Sequence, residues 1–370
     1  MSLTGAIHLS RPYYHCTHCE AGIWPWDEIL CLSPERLTPG AQEVTTLAGI
    51  VNSFGNAADR VLEKMAGLNV SESTVERTTE AAGERLGARL DAGETFGATI
   101  DWKWNRDAEG KTCAYVSIDA TGVMMQGPQG AKTEGRMVNV GMIFNPRPRT
   151  EKEQEICKPC DGARYLAGLY ELHELGPLLR RQGGQVGMNR AEVWIALTDA
   201  GNGLEAFMKS NFPQAIRIVD FRHAAEYVHG FAKAYRPGSD AETLAETWCH
   251  QLKHEGGASL LATLQGLDRE SMSAGARQAY DEALSYFGNH HERMNYPTYL
   301  KRGWQIGTGA MESACKRVIN QRLNMGGMRW GVAGCNAVSH LRGLYCSDAD
   351  QWDGFWSNPH PHNTQVQMAA

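Results

Sequence analysis

Three carboxylates stand out by their surroundings. Asp119 lies in the run YVSIDATGV, Asp199 closes the apolar part of WIALTDAGNG, and Glu312 opens the basic, helix-prone segment GTGAMESACKR. Carboxylate oxygens are hard ligands that suit Mg²⁺ or Mn²⁺. Two such ions about 3.5–4 Å apart can activate the attacking oxygen and stabilise the leaving oxygen of a phosphodiester. Asp119 and Asp199 both follow apolar stretches rich in β-formers, which predicts two buried strands delivering the two acids side by side. Glu312 is expected on a helix packed over that sheet, where it would close the site. Asp101, in the strand-like run ATIDWKW, is the reserve choice for the first acid. An aspartate at a strand end also serves as a turn or cap residue, and 42 acidic residues offer many trios. The elements that carry the acids therefore have to decide between these readings.

Residues 41–92 read as helices, with apolar residues at helical spacing in VTTLAGIVNSF and AADRVLEKMAG. Gly67 suits a helix C-terminus and Ser71 an N-cap. Helix, short turn and helix is the outline of a helix-turn-helix. Residues 59–94 carry eight acids against five bases, however, which fits two core helices at least as well. From residue 95 the pattern turns strand-like: ATIDWKW, CAYVSIDATGV, RMVNVGMIF and ARYLAGLY, then AEVWIALTDA and AIRIVDF alternating with helical YELHELGPLLRRQ, GLEAFMKSNF and RHAAEYVHGFAKAY. Strands first and then strands alternating with helices predict an α/β fold with a mixed sheet. Residues 238–300 read as helices throughout. The segment after Glu312 is helical, breaks at MGGMRWG and resumes at CNAVSHLRGLYC, and the tail SNPHPHNTQVQMAA is expected to be disordered.

With 370 residues the chain has room for two or three units, and 42% hydrophobic residues supply an ordinary core. No run approaches the roughly 18 apolar residues of a membrane span, and MSLTGAIHLSRPYY lacks a long apolar leader. A cytoplasmic, reducing location is the expectation, so the ten cysteines read as thiols or metal ligands. Cys16 and Cys19 form a C-x-x-C, half of many zinc sites, with His15, His18 and Cys31 as candidates to complete it. Cys157 and Cys160 form a second, weaker pair. The net charge of −6 argues mildly against nucleic acid, but residues 301–329 hold Lys301, Arg302, Lys316, Arg317, Arg322 and Arg329 against one acid, Glu312. Those six are candidates for DNA-phosphate contacts, and a solvated helix face explains them about as well. Trp304 or Trp330 could stack on an unpaired base, although a tryptophan is more often a core residue.

The chain resembles the bacterial insertion-sequence DDE transposases of the ISKra group, relatives of the Mutator-like and ISL-type transposases. The resemblance rests on CTHCEAGIWPWDE, LNVSESTVERTTEAAGERLG, SIDATGV followed by RMVNVGMIF, TDAGNGL followed by FPQAIRIVDFRHAAEYV, IGTGAMESACKRVINQRLNMGGMRW and the closing DADQWDGFW, in that order. It implies an RNase H-like core with a helical insertion, in which Asp119, Asp199 and Glu312 are the catalytic acids. The 113-residue gap between Asp199 and Glu312 would hold the insertion. Asp220 and His223 match a D-x-x-H element and are expected to support the site without ligating metal; a capping Asp220 and a core His223 are the plain alternative. The first motif reads DAT where the family has DGT, so Ala120 departs from the pattern.

The expected organisation is a candidate zinc knuckle over 1–40, a helix-turn-helix-like DNA-binding region over 41–94, the first part of the core over 95–237, a helical insertion over 238–303, the core helix and C-terminal helices over 304–350, and a tail over 351–370. The implied activity is divalent-metal-dependent cleavage and strand transfer on element ends and target DNA, by a homo-oligomer assembled on DNA. The alternatives are a truncated or repurposed transposase that binds DNA without catalysis, and an RNase H-like nuclease that cuts without joining.

Overall fold

Successive side chains of a strand point to opposite faces. In CAYVSI both sets are apolar apart from Ser117, so this strand has to be covered on both sides. The computed structural model describes residues 1–357 apart from 129, 130, 132, 149–159, 202 and 239. It opens with a small antiparallel hairpin, β1 (Tyr14–His15) and β2 (Gly22–Ile23), and a short helix α1 (Pro25–Ile29). Helices α2 (Pro39–Val51), α3 (Phe54–Asn56) and α4 (Glu63–Ala66), a π-helical turn at Ala57–Leu62, and α5 (Glu72–Asp91) complete the N-terminal part. Gly67 ends α4 at φ 64° and the Ser71 hydroxyl caps α5 by accepting from the Thr74 N–H at 3.2 Å, as their types predict.

The sheet has the order β5-β4-β3-β6-β7, built from β3 (Cys113–Val123), β4 (Arg136–Pro146), β5 (Cys160–Gly168), β6 (Val193–Thr198) and β7 (Ile216–Val219). The pairs β3–β4 and β4–β5 are antiparallel, whereas β3–β6 and β6–β7 are parallel. Helix α6 (Leu172–Gln185) leads from β5 to β6, α7 (Leu204–Asn211) from β6 to β7, and α8 (Phe221–Tyr235) follows β7. A helical block comprises α9 (Asp240–Glu255), α10 (Gly257–Gln265), α11 (Ala274–His290) and α12 (Tyr296–Lys301). The chain then returns as α13 (Gly309–Cys315), a π-helical turn at Lys316–Asn320, α14 (Gln321–Leu323), α15 (Val332–Cys346) and α16 (Ala349–Ser357). This is a mixed α/β protein, as the strand and helix pattern predicts. Among the described residues no helix is long and apolar enough to cross a membrane.

Tyr115 and Val140 point into a core shared with α8, the helical block and α13. Ala114, Val116 and Ile118 point into a second core with α5, α6, α7 and α16. Helix α15 closes the β5 edge and contributes to both. Its approach to α5 is set by glycine. A Cβ on Gly83 would lie 2.4 Å from the Ala337 carbonyl oxygen, and one on Gly87 2.6 Å from the His340 ring. Two buried guanidiniums join the N-terminal helices to the chain beyond Glu312. Arg322 Nε donates to the Gly49 carbonyl at 2.8 Å, and Arg342 donates to the carbonyls of Ile50 at 3.4 Å and Val318 at 3.1 Å. Carbonyls at the end of a helix lack partners within it, which is why α2 accepts them there.

Two expectations need correction. ATIDWKW is not a strand: Ile100 and Trp102 give their N–H groups to the Gln185 and Val186 carbonyls at the end of α6, at 3.0 and 3.1 Å. The tail does not begin at 351, because Trp352, Phe355 and Trp356 of α16 are buried, with Phe355 edge-on to Phe96 at 5.4 Å. Ser357 is the last described residue; the rest of the tail and Cys157 lie outside the described residues.

Gly83→Ala is expected to destabilise the protein by about 1–3 kcal/mol, because the obstacle is backbone. Gly184→Ala on α6, with nothing within 4 Å of the added carbon, is expected to be neutral or to stabilise by up to about 1 kcal/mol. Urea denaturation of the two variants side by side checks the contrast.

Candidate active site

The offset between β3 and β6 decides where the first two acids meet. Cys113 pairs with Val193 and Val116 with Ala196, so each residue faces the one 80 positions further on. Asp119 and Asp199 stand at that same offset. The Ser117 hydroxyl donates to the Leu197 carbonyl at 2.5 Å, continuing the register towards them. Beyond this point the strands separate around a cleft of about 420 Å³ lined by Asp119, Ala120, Asn139, Leu172, Asp199 and Gly201 among others. It lies at the C-terminal ends of parallel strands, where the sheet changes from antiparallel to parallel pairing. Such a switch point leaves a crevice in an open sheet. Ala120 fits there without strain: it continues β3 opposite Asn139 and has no left-handed backbone to maintain.

Each acid is held by its own neighbourhood. Asp119 Oδ1 accepts from the Ala120 N–H at 2.7 Å, and the Cys315 thiol donates to Oδ2 at 3.8 Å. Asp199 Oδ1 accepts from the Gly201 N–H at 3.0 Å. Burial raises the Asp119 carboxyl above the usual aspartate range, and the charges of Asp199 and Glu312 push it the same way. Cys315 stays a thiol because burial lifts it to about 12. Glu312 comes in on α13, one turn before Cys315, but its carboxylate is turned to the Arg222 guanidinium, with its oxygens at 3.0 and 3.4 Å.

Asp220 supports this arrangement from behind. It is buried, caps α8 by accepting from the Arg222 N–H at 2.7 Å, and accepts from the Thr308 hydroxyl at the start of α13. Its own N–H donates to the Thr198 carbonyl at 2.8 Å, next to Asp199. One residue thus joins the strand that ends at Asp199 to the helix that carries Glu312. Burial raises the Asp220 carboxyl despite these hydrogen bonds. His223 is half-buried against Tyr227 and Tyr286, with ring centroids at 5.7 and 6.0 Å, and its Nδ1 is 3.3 Å from Glu226; it does not line the cleft.

Among the described residues no three of His, Cys, Asp and Glu stand close enough together to form a ready-made metal site. Glu312 does not line the cleft, and its carboxylate is engaged by Arg222. The donors themselves fit Mg²⁺ or Mn²⁺: hard carboxylate oxygens in an open cleft, with one acid already penalised for its charge. At the N-terminal hairpin, Cys16 and Cys19 are brought together and exposed. Backbone N–H groups of Cys19 and then His18, followed by the Cys19 thiol, pull the Cys16 thiol below its usual range. Cys31 sits apart, half-buried, and burial raises its thiol. Two donors do not fit a closed zinc site, which needs four.

The basic residues divide. Lys316, Arg317 and Arg329 are exposed, the first two one turn beyond Glu312. Arg322 is 1% exposed, packs against the rings of Phe54 and Trp330 at 4.7 and 4.9 Å, and cannot reach a phosphate. Arg302 pairs with Glu109 at 3.3 Å and lines a groove at the start of β6 and β7, the end of the sheet away from the acids; exposed Lys301 adjoins it. Trp304 and Trp330 are core residues, their indole N–H groups spent on Asp107 at 3.1 Å and the Leu323 carbonyl at 2.9 Å. Asp101 is ion-paired with Arg190 and is not at the cleft. The exposed side of α5 carries Glu72, Glu76, Glu84 and Asp91 against Arg77, a poor match for a phosphate backbone.

Sequence reasoning missed Arg222 and Cys315. Both were within reach of helical spacing: Arg222 lies in the first turn capped by Asp220, and Cys315 is three residues after Glu312. No family model matches the chain, and no curated protein matches it in sequence.

A raised Asp119 means that the native state holds more protons than the unfolded chain between the unfolded value, about 3.9, and the native one. Stability is therefore lost as pH rises through that window. Asp119→Asn is expected to raise Tm at pH 7 by roughly 2 °C and to flatten the Tm profile between pH 4 and 7. Scanning calorimetry across that range checks it. Arg222→Ala frees Glu312 and is expected to strengthen the Mg²⁺-induced rise in Tm, with a lower half-saturating concentration than wild type. An unchanged titration would mean that Arg222 does not compete with the cation.

Proposed function

We propose that the chain is a DDE transposase of the ISKra type with an RNase H-like core, cutting and joining DNA strands with Asp119, Asp199 and Glu312. The observation that carries this reading is the shared offset of β3 and β6, which brings Asp119 and Asp199 to one cleft, with α13 packed against Asp119 through Cys315. Three antiparallel strands followed by two strands parallel to the first agree with the proposed core. The helical block between Asp199 and Glu312 agrees with the proposed insertion.

Asp119 and Asp199 would hold the divalent cations, Mg²⁺ or Mn²⁺, with Glu312 joining them when it leaves Arg222. Bound ions would supply activation of the attacking oxygen and stabilisation of the leaving one. The chain's own contribution is placement. Asp220 fixes the strand end and the helix start against each other. Cys315 donates to one oxygen of Asp119 and so biases the carboxylate's orientation. Lys316 and Arg317, and Arg222 once released, offer cations to the DNA backbone beside the cleft. Element ends and target DNA are the partners in this reading, and a homo-oligomer would hold two ends together. The Cys16–Cys19 hairpin offers half of a zinc site, and no step depends on it.

The test is strand cleavage of end-labelled duplexes that span the DNA flanking the coding region, with Mg²⁺ or Mn²⁺. Wild type is expected to nick at a defined position and to transfer the freed 3′ end into a second duplex. Asp199→Ala is expected to lose at least about 10²–10³-fold in rate. Cleavage without joining would assign a nuclease. Binding without cleavage in both proteins would assign a DNA-binding derivative and end the catalytic reading.

A further inference from the structure

Helix α13 serves two openings in the surface. Glu312 and Cys315 turn towards Arg222 and Asp119. Gly309, Ser313 and Arg317 recur every four residues, which brings them to one side of the helical run. That side walls a groove of about 610 Å³, larger than the cleft at Asp119 and Asp199. Ala163 and Tyr165 of β5 belong to its floor, and Ser347 and Asp348, just beyond α15, to its far side. Gly162, Ala163, Gly309 and Ala310 bring nothing larger than a methyl group to the lining, which keeps the groove wide.

The charges of the groove are unevenly committed. Its two carboxylates both have partners. Asp161 is held by Arg147 at 2.7 Å and by the Asn105 amide at 2.9 Å, and Asp348 by the buried Arg164 at 3.2 Å. The Arg317 guanidinium is exposed and has no carboxylate partner among the described residues. The Ser313 hydroxyl, one turn earlier, is exposed as well. Burial lifts the Tyr165 hydroxyl to about 12, and the Arg317 charge opposes that rise, so the guanidinium acts on the groove floor. One uncommitted guanidinium beside a hydroxyl suits a phosphate. The volume lies in the roughly 300–1,000 Å³ range of organic ligands and is too large for a bare phosphate ion. The floor next to Arg317 is a methyl group and a phenol ring. A phosphate joined to a flat, partly apolar group satisfies both halves. An unpaired nucleotide is such a group, whereas a duplex keeps the faces of its bases stacked.

We propose that this groove takes an unpaired nucleotide of a DNA strand, with its phosphate on Arg317 and Ser313 and its base against Ala163 and Tyr165. The groove and the acids adjoin the same helix, so a strand that leaves the cleft reaches the groove by crossing α13. The source of the strand rests on the transposase reading; the binding chemistry does not.

The whole chain is titrated into a fluorescein-labelled single-stranded oligonucleotide of arbitrary sequence, in EDTA so that nothing is cut, and anisotropy is followed. Wild type is expected to bind the single strand about tenfold more tightly than the same sequence as a duplex. Arg317→Gln removes the phosphate donor and is expected to weaken single-strand binding by roughly tenfold. Ser313→Leu keeps every charge, removes the hydroxyl and narrows the groove. It is expected to weaken binding at least about threefold. Both positions are exposed, and both variants are expected to keep the wild-type Tm. Wild-type affinity in Ser313→Leu, or equal affinity for single strand and duplex, would overturn the proposal. The readout needs no catalysis. Groove binding by a chain that never cuts DNA would end the transposase reading and keep the groove. Cleavage that is lost in Asp199→Ala, with strand binding unaltered in Ser313→Leu, would do the reverse.

Discussion

Acidic groups brought to one place repel each other, and the region around the cleft is arranged around that cost. Asp119 is partly buried on a central strand, within range of the charges of Asp199 and Glu312. The structure offsets the repulsion locally: one backbone N–H and one thiol for Asp119, one backbone N–H for Asp199, one guanidinium for Glu312. None of these partners neutralises the first two acids fully. Their positions are held by the sheet and by α13, so the charges cannot relax away from one another. A site of this kind favours any cation that can enter.

Holding the acids against their repulsion is a task for distant elements as well. Asp220 joins the end of β6 to the start of α13 from a buried position. Arg342 fastens the helical run after Glu312 to α2, through the Val318 and Ile50 carbonyls. Arg322 does the same through Gly49, with two aromatic rings packed against it. Buried cations without a carboxylate cost desolvation. Burial, with Arg342 nearby, lowers Arg322 to about 10. Carbonyls at a helix end, with their partial negative charge, are the compensation.

The periodicity of the strands and the helical block was legible, because a sheet covered on both sides imposes long apolar runs. Asp119 and Asp199 were legible for the same reason, since each interrupts such a run at its end. The charged residues of the C-terminal half were not. Arg317 and Arg322 are five positions apart in one basic segment, yet one is exposed and the other has one of the most buried side chains in the protein. That difference comes from which side of the helical run meets α2, a tertiary fact. ATIDWKW misled because β-forming residues can lie extended along a helix end as readily as in a sheet. Trp352, Phe355 and Trp356 belong to a tail only by position; their aromatic surface drives them into the core.

The glycine-lined approach of α5 to α15 joins residue 83 to residue 337. During synthesis at about 5–20 residues per second, the ribosome needs roughly 10–50 s to span that interval. Until then the β5 edge has no cover, and neither does the side of α5 that meets α15. Nascent chains halted anywhere before α15 would expose both surfaces together. The protein's yield in a cell is thus tied to completing the chain and to whatever shields apolar surface in the meantime.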